Sequence, residues 1–335
     1  MSTPSERALL VTGATGFLGR HVLAELDLLV RPRPVVALVR HVANWKQLDW
    51  TRSLDAVRLI EGSLDDVPRW QPELPPLSGI LHLAAPVEHT RRAPAAMRAA
   101  IVGGTLALVR LASAAGCRLL VASTSGVVGC TRERGPRADE KAPFAREIVG
   151  GWPYYAAKIE MEEHARALAT ALDVTLTFVR PPILLGPGDH RLRSTRNVWK
   201  FLRSRLPFLV RGGIAFADVR DAAQALLRVV DHPAPRPVYH LDGTECELTE
   251  FFAMLEQVSG VEAPRLVLPY RAAWVLARSL ERLRLFPDPV VVEMAAHWWG
   301  LRSLWSANDL DWKPRNPLET LRDTVEWLWR FGPDA

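Results

Sequence analysis

The chain has 335 residues, 48% hydrophobic and 24% charged, and a formal net charge of +5 that arginine supplies almost alone, since only five residues are lysine. These proportions are ordinary for a globular protein with ample core, as one large α/β unit or two modest domains. The basic residues are scattered rather than interleaved with aromatics, which argues against nucleic-acid binding.

Cys117, Cys130 and Cys246 are too few and too far apart for a disulfide framework or a metal cluster. Residues 1–7 are polar and run straight into the first apolar stretch, leaving no room for a signal peptide. No apolar run approaches the ~18 residues that cross a bilayer, so a cytoplasmic setting without an integral membrane segment is expected.

Residues 9–19, LLVTGATGFLG, read as a strand, a tight turn and the start of a helix, with apolar residues at helical spacing from 17 to 29. Such a corner suits an anion. The first helical turn offers unpaired N–H groups and the positive end of the helix dipole, and glycine lets backbone come close. Gly13 reads as the turn, Gly16 as the point of approach to a pyrophosphate, and Gly19 as the residue that lets helix pack on strand. Thr15, Phe17 and Leu18 complete the loop. The spacing differs from the commoner G-x-G-x-x-G fingerprint, so the flanking strand and helix carry much of the reading.

Residues 34–40, PVVALVR, form an apolar strand of the kind buried in a parallel sheet. In dinucleotide folds an acidic residue at its end holds the ribose 2′-hydroxyl, whereas an arginine accommodates a 2′-phosphate. Here the residue is Arg40, with His41 and Lys46 behind it and no carboxylate before Asp49, which favours NADP over NAD. Residues 57–61 form a third strand, after which Ser63 and Leu64 would pass beside an adenine. A fourth strand, 79–85, carries His82, expected to be a satisfied core histidine, and ends in Ala84 and Ala85, small enough for backbone to lie beside a cofactor. A helix over 93–115 and a fifth strand over 118–122 follow. This alternation predicts an α/β fold with a doubly wound parallel sheet and the ligand at the strands' carboxyl ends.

Beyond the fifth strand stand three hydroxyls, Ser123, Thr124 and Ser125, and residues 153–158, PYYAAK, open the next helix. Tyr154 and Lys158 are four apart and share one helical face. An ammonium beside a phenol favours the phenolate and lowers a pKa that starts near ~10, making tyrosine a proton donor or acceptor around neutrality. Tyr155 points elsewhere on the helix and reads as packing.

Residues 12–19, 123–129 and 154–158, together with RPPILLGPGD at 180–189, resemble the extended short-chain dehydrogenase/reductase family, also called the NAD-dependent epimerase/dehydratase family. The likeness continues through residues 216–227, 239–243 and 312–328. It implies a Rossmann-type domain, 1–185 with 214–243 returning to it, and a smaller, discontinuous substrate domain, 186–213 and 244–335. The family's catalytic trio falls on Thr124, Tyr154 and Lys158, with Ser123 and Ser125 as fallbacks for the hydroxyl and Pro181 among the cofactor contacts. The implied chemistry is hydride carried by nicotinamide, proton transfer by Tyr154, a hydrogen bond from Thr124 to the substrate oxygen, and Lys158 tuning Tyr154 while holding the ribose. Family members often pair through two helices, here 93–115 and 154–171, so the resemblance offers a homodimer while the sequence leaves the oligomeric state open.

Departures from the family pattern narrow the choice. Ile101 stands where many members carry an asparagine ahead of Gly104-Thr105. Thr124 is followed by Ser125-Gly126 rather than two carboxylates, which disfavours dehydration. Ile183 stands where sugar-nucleotide epimerases place an asparagine before Gly186-Pro187, making the pocket more apolar. Trp274, Trp298, Trp299 and Trp305 lie in a region that resembles the substrate side of hydroxysteroid dehydrogenases and dihydroflavonol reductases, although each reads more simply as core. Arg191, Arg193, Arg196, Arg203, Arg205 and Arg211 form a basic segment that is either a solvated face or a contact for a substrate anion. A basic amphipathic helix over 271–285 leaves membrane-surface contact open. The expected function is an NADP(H)-dependent oxidoreductase for a relatively apolar ketone or alcohol, with NAD as the other cofactor and no metal. The alternatives are a sugar or sugar-nucleotide epimerase and a non-catalytic dinucleotide sensor.

Overall fold

A computed structural model describes residues 7–29, 33–91, 93–280 and 289–333. Residues 1–6, and Arg282 and Arg284 of the expected amphipathic helix, lie outside the described residues. β1 (Ala8–Thr12) and β2 (Val35–Val39) are buried at every position, which is why both are written as unbroken apolar runs. With β3 (Val57–Glu61), β4 (Leu77–His82), β5 (Arg118–Ala122), β6 (Leu176–Arg180) and β7 (Val238–His240) they form, among the described residues, a seven-stranded sheet in the order β3-β2-β1-β4-β5-β6-β7. Every pairing in it is parallel. The strand order reverses between β1 and β4, and a ligand crevice opens beyond the carboxyl ends at such a point.

Alternate residues of β1 feed two separate cores, as the period of a strand demands. Leu10 joins Met97, Leu108 and Ala165 under helices α2 (Pro94–Ala115) and α3 (Pro153–Ala171). Leu9 and Val11 join Val22, Leu26, Ala222 and Leu226 under α1 (Phe17–Asp27) and α4 (Val219–Asp231). With helices on both faces the sheet is doubly wound, a Rossmann-like α/β fold. By length and composition alone α2, at 22 residues, passes as a membrane span. Its two arginines, Arg98 and Arg110, break the apolar run in sequence, and half of its apolar window is buried against this core.

A second sheet joins Ile183–Leu185, Gly213–Asp218 and Thr244–Glu247, the middle strand parallel to the first and antiparallel to the last. Leu185, Phe216, Phe251, Leu255, Leu321 and Leu328 form its core with helices Leu248–Ser259 and Pro317–Phe331. We propose the division read from the sequence, 1–185 with 214–243 against 186–213 with 244–335. α4 and β7 support the return, while Gly213–Asp218 pairs in the smaller sheet.

A buried ion pair ties α3 to the ends of β5, β6 and β7. Glu162 of α3 and Arg180 at the end of β6 are 0% and 3% exposed. Arg180 donates from Nε to Oε1 at 2.9 Å and from Nη2 to Oε2 at 2.6 Å. Ser123 donates to the same carboxylate at 2.6 Å and Arg166 at 3.2 Å. Burial alone would raise the Glu162 carboxyl, but Arg180 outweighs it and holds the group below the usual carboxylate range. Nη1 of Arg180 then meets Nε2 of His240 at 3.1 Å. Removing one member leaves a charge in the interior without its partner. Glu162→Gln should therefore cost about 3–5 kcal/mol of unfolding free energy, measured in urea. A loss below about 1 kcal/mol, the scale of a surface pair, would show that the cluster does not hold the helix.

Candidate active site

At the end of β1 the chain turns through Gly13 with φ +73°, a conformation that side chains rarely adopt, and a Cβ there would sit 2.6 Å from the backbone of Leu83 and Ala84. A Cβ on Gly19 would lie 2.3 Å from the Gly13 carbonyl oxygen, so α1 rises directly against the turn. Gly16 caps α1 and donates its N–H to Gly13 O at 2.8 Å. Thr15, Phe17 and Leu18 are partly accessible around this cradle. Ala84 and Ala85, just past β4, form its partly accessible second wall, with the Ala84 N–H 3.4 Å from Thr12 Oγ1. The turn therefore has no space for a side chain at Gly13 or Gly19.

Arg40 is exposed at the end of β2. The sheet register adds what the linear spacing hid: Glu61, at the end of β3, pairs with Val39, and its carboxylate accepts the Val42 N–H at 2.8 Å. That carboxylate is thus already engaged. Ser63 is exposed and caps a short turn by accepting the Asp65 N–H at 3.3 Å, while Leu64 packs on Gly104 of α2. Pro181 is buried, its carbonyl holding the Ser125 N–H at 2.8 Å.

Tyr154 and Lys158 occupy successive turns at the start of α3, 7% and 3% exposed. Lys158 donates from Nζ to the Ala122 carbonyl at 2.9 Å, which brings the helix to the end of β5 two residues before Thr124. Thr124 Oγ1 accepts the Gly126 N–H at 3.4 Å, leaving the hydroxyl proton to donate elsewhere. Ser123 is turned into the Glu162 cluster, while Ser125 is buried and donates its N–H to the Pro181 carbonyl. His82 is the core histidine expected, its Nδ1 2.7 Å from Thr12 Oγ1 and its pKa pushed down to about 3 by burial.

The expected lowering of the Tyr154 pKa by Lys158 is not what the structure contains. Burial pushes the phenol well above its ordinary value, because desolvation penalises the phenolate. The same burial pulls Lys158 down to about 8, partly offset by Glu162. Among the described residues no group hydrogen-bonds the Tyr154 hydroxyl, which stays protonated and able to donate.

Around Tyr154 stands an aromatic wall that linear reading missed. His89 meets its ring edge-on at 5.5 Å and stacks on Tyr155, whose ring packs on Gly126 and lies 5.5 Å from Trp299. Trp152 stacks on Trp299 at 6.0 Å and meets His297 edge-on at 5.2 Å. Glu293 accepts from the indoles of Trp152 and Trp274 at 3.1 and 3.0 Å, joining helix Pro289–Ala295 to the start of α3. Beyond His297 a cavity of about 770 Å³ is lined by residues 267–270 with Arg132 and Arg211. Trp298 and Trp305 instead lie under Arg134 and Arg236 as packing.

The family model for the NAD-dependent epimerase/dehydratase family matches residues 9–241. The chain belongs to that family. Its relatives include sterol demethylase protein B of Methylococcus capsulatus, 29% identical over 84% of this chain and 81% of that one. A putative dihydroflavonol 4-reductase of Synechocystis is 27% identical over 96% and 94%. The solved UDP-glucuronic acid 4-epimerase from Bacillus cereus in complex with NAD shares the fold, with a TM-score of 0.74, 17% identity and coverage of 96% of each chain. The protein is thus an NAD(P)-dependent enzyme of the extended short-chain dehydrogenase/reductase type.

For this family member the spacing of Tyr154 and Lys158 was visible in sequence, whereas Glu162, His89 and Trp152 come from the packing of separate segments and carried no linear signal. Lys158 gives a pH test. Because it holds its proton less tightly folded than unfolded, the unfolded chain binds more protons from about pH 8 upward, and stability rises with pH until the ordinary lysine value near 10.5. Urea unfolding of the native protein and of Lys158→Met should diverge between those limits, by about 1 kcal/mol per pH unit in favour of the native protein. Parallel curves would mean that the amine is not desolvated.

Proposed function

We propose that the protein is an NADP(H)-dependent oxidoreductase acting on a relatively apolar ketone or alcohol. The observation that carries this reading is the Tyr154–Lys158 pair. Two buried groups lie one helical turn apart, the amine anchored at the end of β5 and the phenol, among the described residues, without a hydrogen-bond partner beside an aromatic wall. The strand–turn–helix corner supports a dinucleotide, since Gly16 opens α1 and the unpaired N–H groups of that first turn suit a pyrophosphate. Gly13, Thr15, Gly16, Phe17, Leu18 and Gly19 would hold the pyrophosphate side, Ser63, Leu64, Ala84 and Ala85 the adenine side, and Pro181 the nicotinamide side, where the bound ring supplies hydride.

Tyr154 keeps a proton on its phenol oxygen and delivers it to the substrate oxygen during reduction, then takes it back during oxidation. Thr124 donates its hydroxyl hydrogen to the same oxygen and fixes its direction. Lys158 keeps positive charge beside the phenol and the ribose, which favours the phenolate left after proton transfer. Arg40 faces the position of a 2′-phosphate, which supports NADP over NAD. The aromatic wall around Tyr154 favours an apolar substrate body. A second reading, sugar-nucleotide epimerisation, draws on the fold shared with the Bacillus epimerase. Ile183, an aliphatic side chain 44% exposed past β6, weighs against a sugar there.

A screen of ketones and alcohols followed by nicotinamide absorbance tests this directly. Tyr154→Phe should reduce turnover about 10²-fold or more while cofactor affinity stays within about threefold of native. Unchanged turnover would remove Tyr154 from proton transfer. Conversion of nucleotide-sugars without turnover of apolar ketones would favour the epimerase reading. In cofactor titrations Arg40→Ala should weaken NADP⁺ binding about tenfold and leave NAD⁺ unchanged, and equal effects on both would end the 2′-phosphate assignment.

A further inference from the structure

Residues 186–195 leave the second sheet and cross the mouth of the cofactor crevice. Their path is built, not slack. Gly186, Gly188 and Leu192 take positive φ, and the buried carboxylate of Asp189, 1% exposed, accepts the N–H groups of Arg193, Ser194 and Thr195 at 3.2, 2.8 and 3.0 Å, and the Thr195 hydroxyl at 3.0 Å. The loop is docked on the first turns of α1. His21 donates from Nε2 to the Pro187 carbonyl at 2.8 Å, and Gly188 lies so close to Arg20 that a Cβ would sit 2.9 Å from its Nη1.

From this platform two arginines reach the two walls of the crevice. Arg191 donates from Nη2 to Thr15 Oγ1 at 3.4 Å, directly over the glycine turn. Arg193 donates to the Val87 carbonyl at 3.4 Å and lies 3.6 Å from Glu88, on the segment after β4. Glu88 partners Arg193, and the Asp189 carboxylate is taken up by its own loop. Among the described residues Arg191 has no ion-pair partner. Partial desolvation, with Arg40 and Arg193 nearby, pushes its guanidinium below the ordinary arginine value, and the Asp189 carboxylate offsets only part of this. Its neighbour on the turn is a threonine hydroxyl, a group that cannot neutralise it.

We propose that Arg191 binds the pyrophosphate of the dinucleotide, so that loop 186–195 acts as a strap across the cofactor and links its binding to the substrate side of the molecule. This rests on the reading of the glycine turn as the dinucleotide site. A guanidinium presents paired N–H donors that suit phosphate oxygens. The contact with Thr15 assigns Arg191 to the pyrophosphate, whereas Arg40, at the end of β2, faces the 2′-phosphate.

Calorimetric titration of the full chain with NADP⁺, NAD⁺, ADP-ribose and adenosine 2′-monophosphate separates these roles without reference to turnover. Arg191→Ala should weaken the three pyrophosphate ligands alike, by about tenfold or more, leave the 2′-monophosphate unchanged, and flatten the salt dependence of binding. Arg191→Lys should recover part of the loss, and the exposed position should leave the melting temperature within about 1 °C. Unchanged affinity for ADP-ribose in Arg191→Ala overturns the proposal while leaving the dinucleotide site intact. Weakening confined to NADP⁺ and the 2′-monophosphate overturns it by moving Arg191 to the 2′-phosphate. If the native protein binds none of the four, the dinucleotide reading and this inference both fall.

Discussion

The Glu162–Arg180 pair is the contact on which the geometry of the candidate site depends. A carboxylate and a guanidinium removed from water must meet each other in two hydrogen bonds, or the interior cannot hold them. Their partners come from distant parts of the chain: Ser123 after β5, Arg166 further along α3, and His240 at the end of β7. The network reaches the C-terminal part as well, because Glu140 accepts the N–H groups of both His240 and Leu304. Glu162 lies one turn beyond Lys158, and Lys158 one turn beyond Tyr154. The rotation of α3 that satisfies the ion pair therefore turns the amine toward Ala122 and the phenol against His89. The element that holds the fold and the element that carries the proposed proton transfer are one helix face.

Burial works in opposite directions on the two groups of that face. It resists ionisation of the phenol and resists protonation of the amine, so the site in this state holds a neutral proton donor next to a cation of reduced basicity. Both shifts have the same origin: the removal of water by His89, Tyr155 and the neighbouring core. A site closed in this way also strengthens every charge introduced later, since the solvent that would screen it is gone. The aromatic wall thus sharpens the electrostatics of the Tyr154–Lys158 pair.

Much of the fold was legible in the linear chain. β1 and β2 are buried on both faces, so they appear as unbroken apolar runs, and β3 and β5 begin and end at the predicted residues. The fourth strand was placed two residues late at its start, because Leu77 and Ser78 lie close to a proline-rich stretch that reads as loop, and three residues late at its end, because the apolar run continues through Leu83, Ala84 and Ala85 past the paired strand. The glycine turn was visible because Gly13 must take a positive φ and Gly19 must clear a carbonyl, constraints that a residue type displays directly. Arg191 stood in a segment recognised as basic, yet a row of arginines does not say which one is brought over Thr15.

By itself the sequence determined what local physics controls: the alternation of strands and helices, the turn that only glycine can make, and the placement of Tyr154 and Lys158 on one face, since an α-helix repeats every 3.6 residues. Tertiary structure decided everything that joins residues far apart in the chain. It brought Glu162 to Arg180, His89 to Tyr154, Glu61 to the end of β2 and Arg191 to Thr15, and it reversed the direction of the expected shift at Tyr154. The physical reason is that desolvation depends on how much protein surrounds a group, which no spacing in a linear chain encodes.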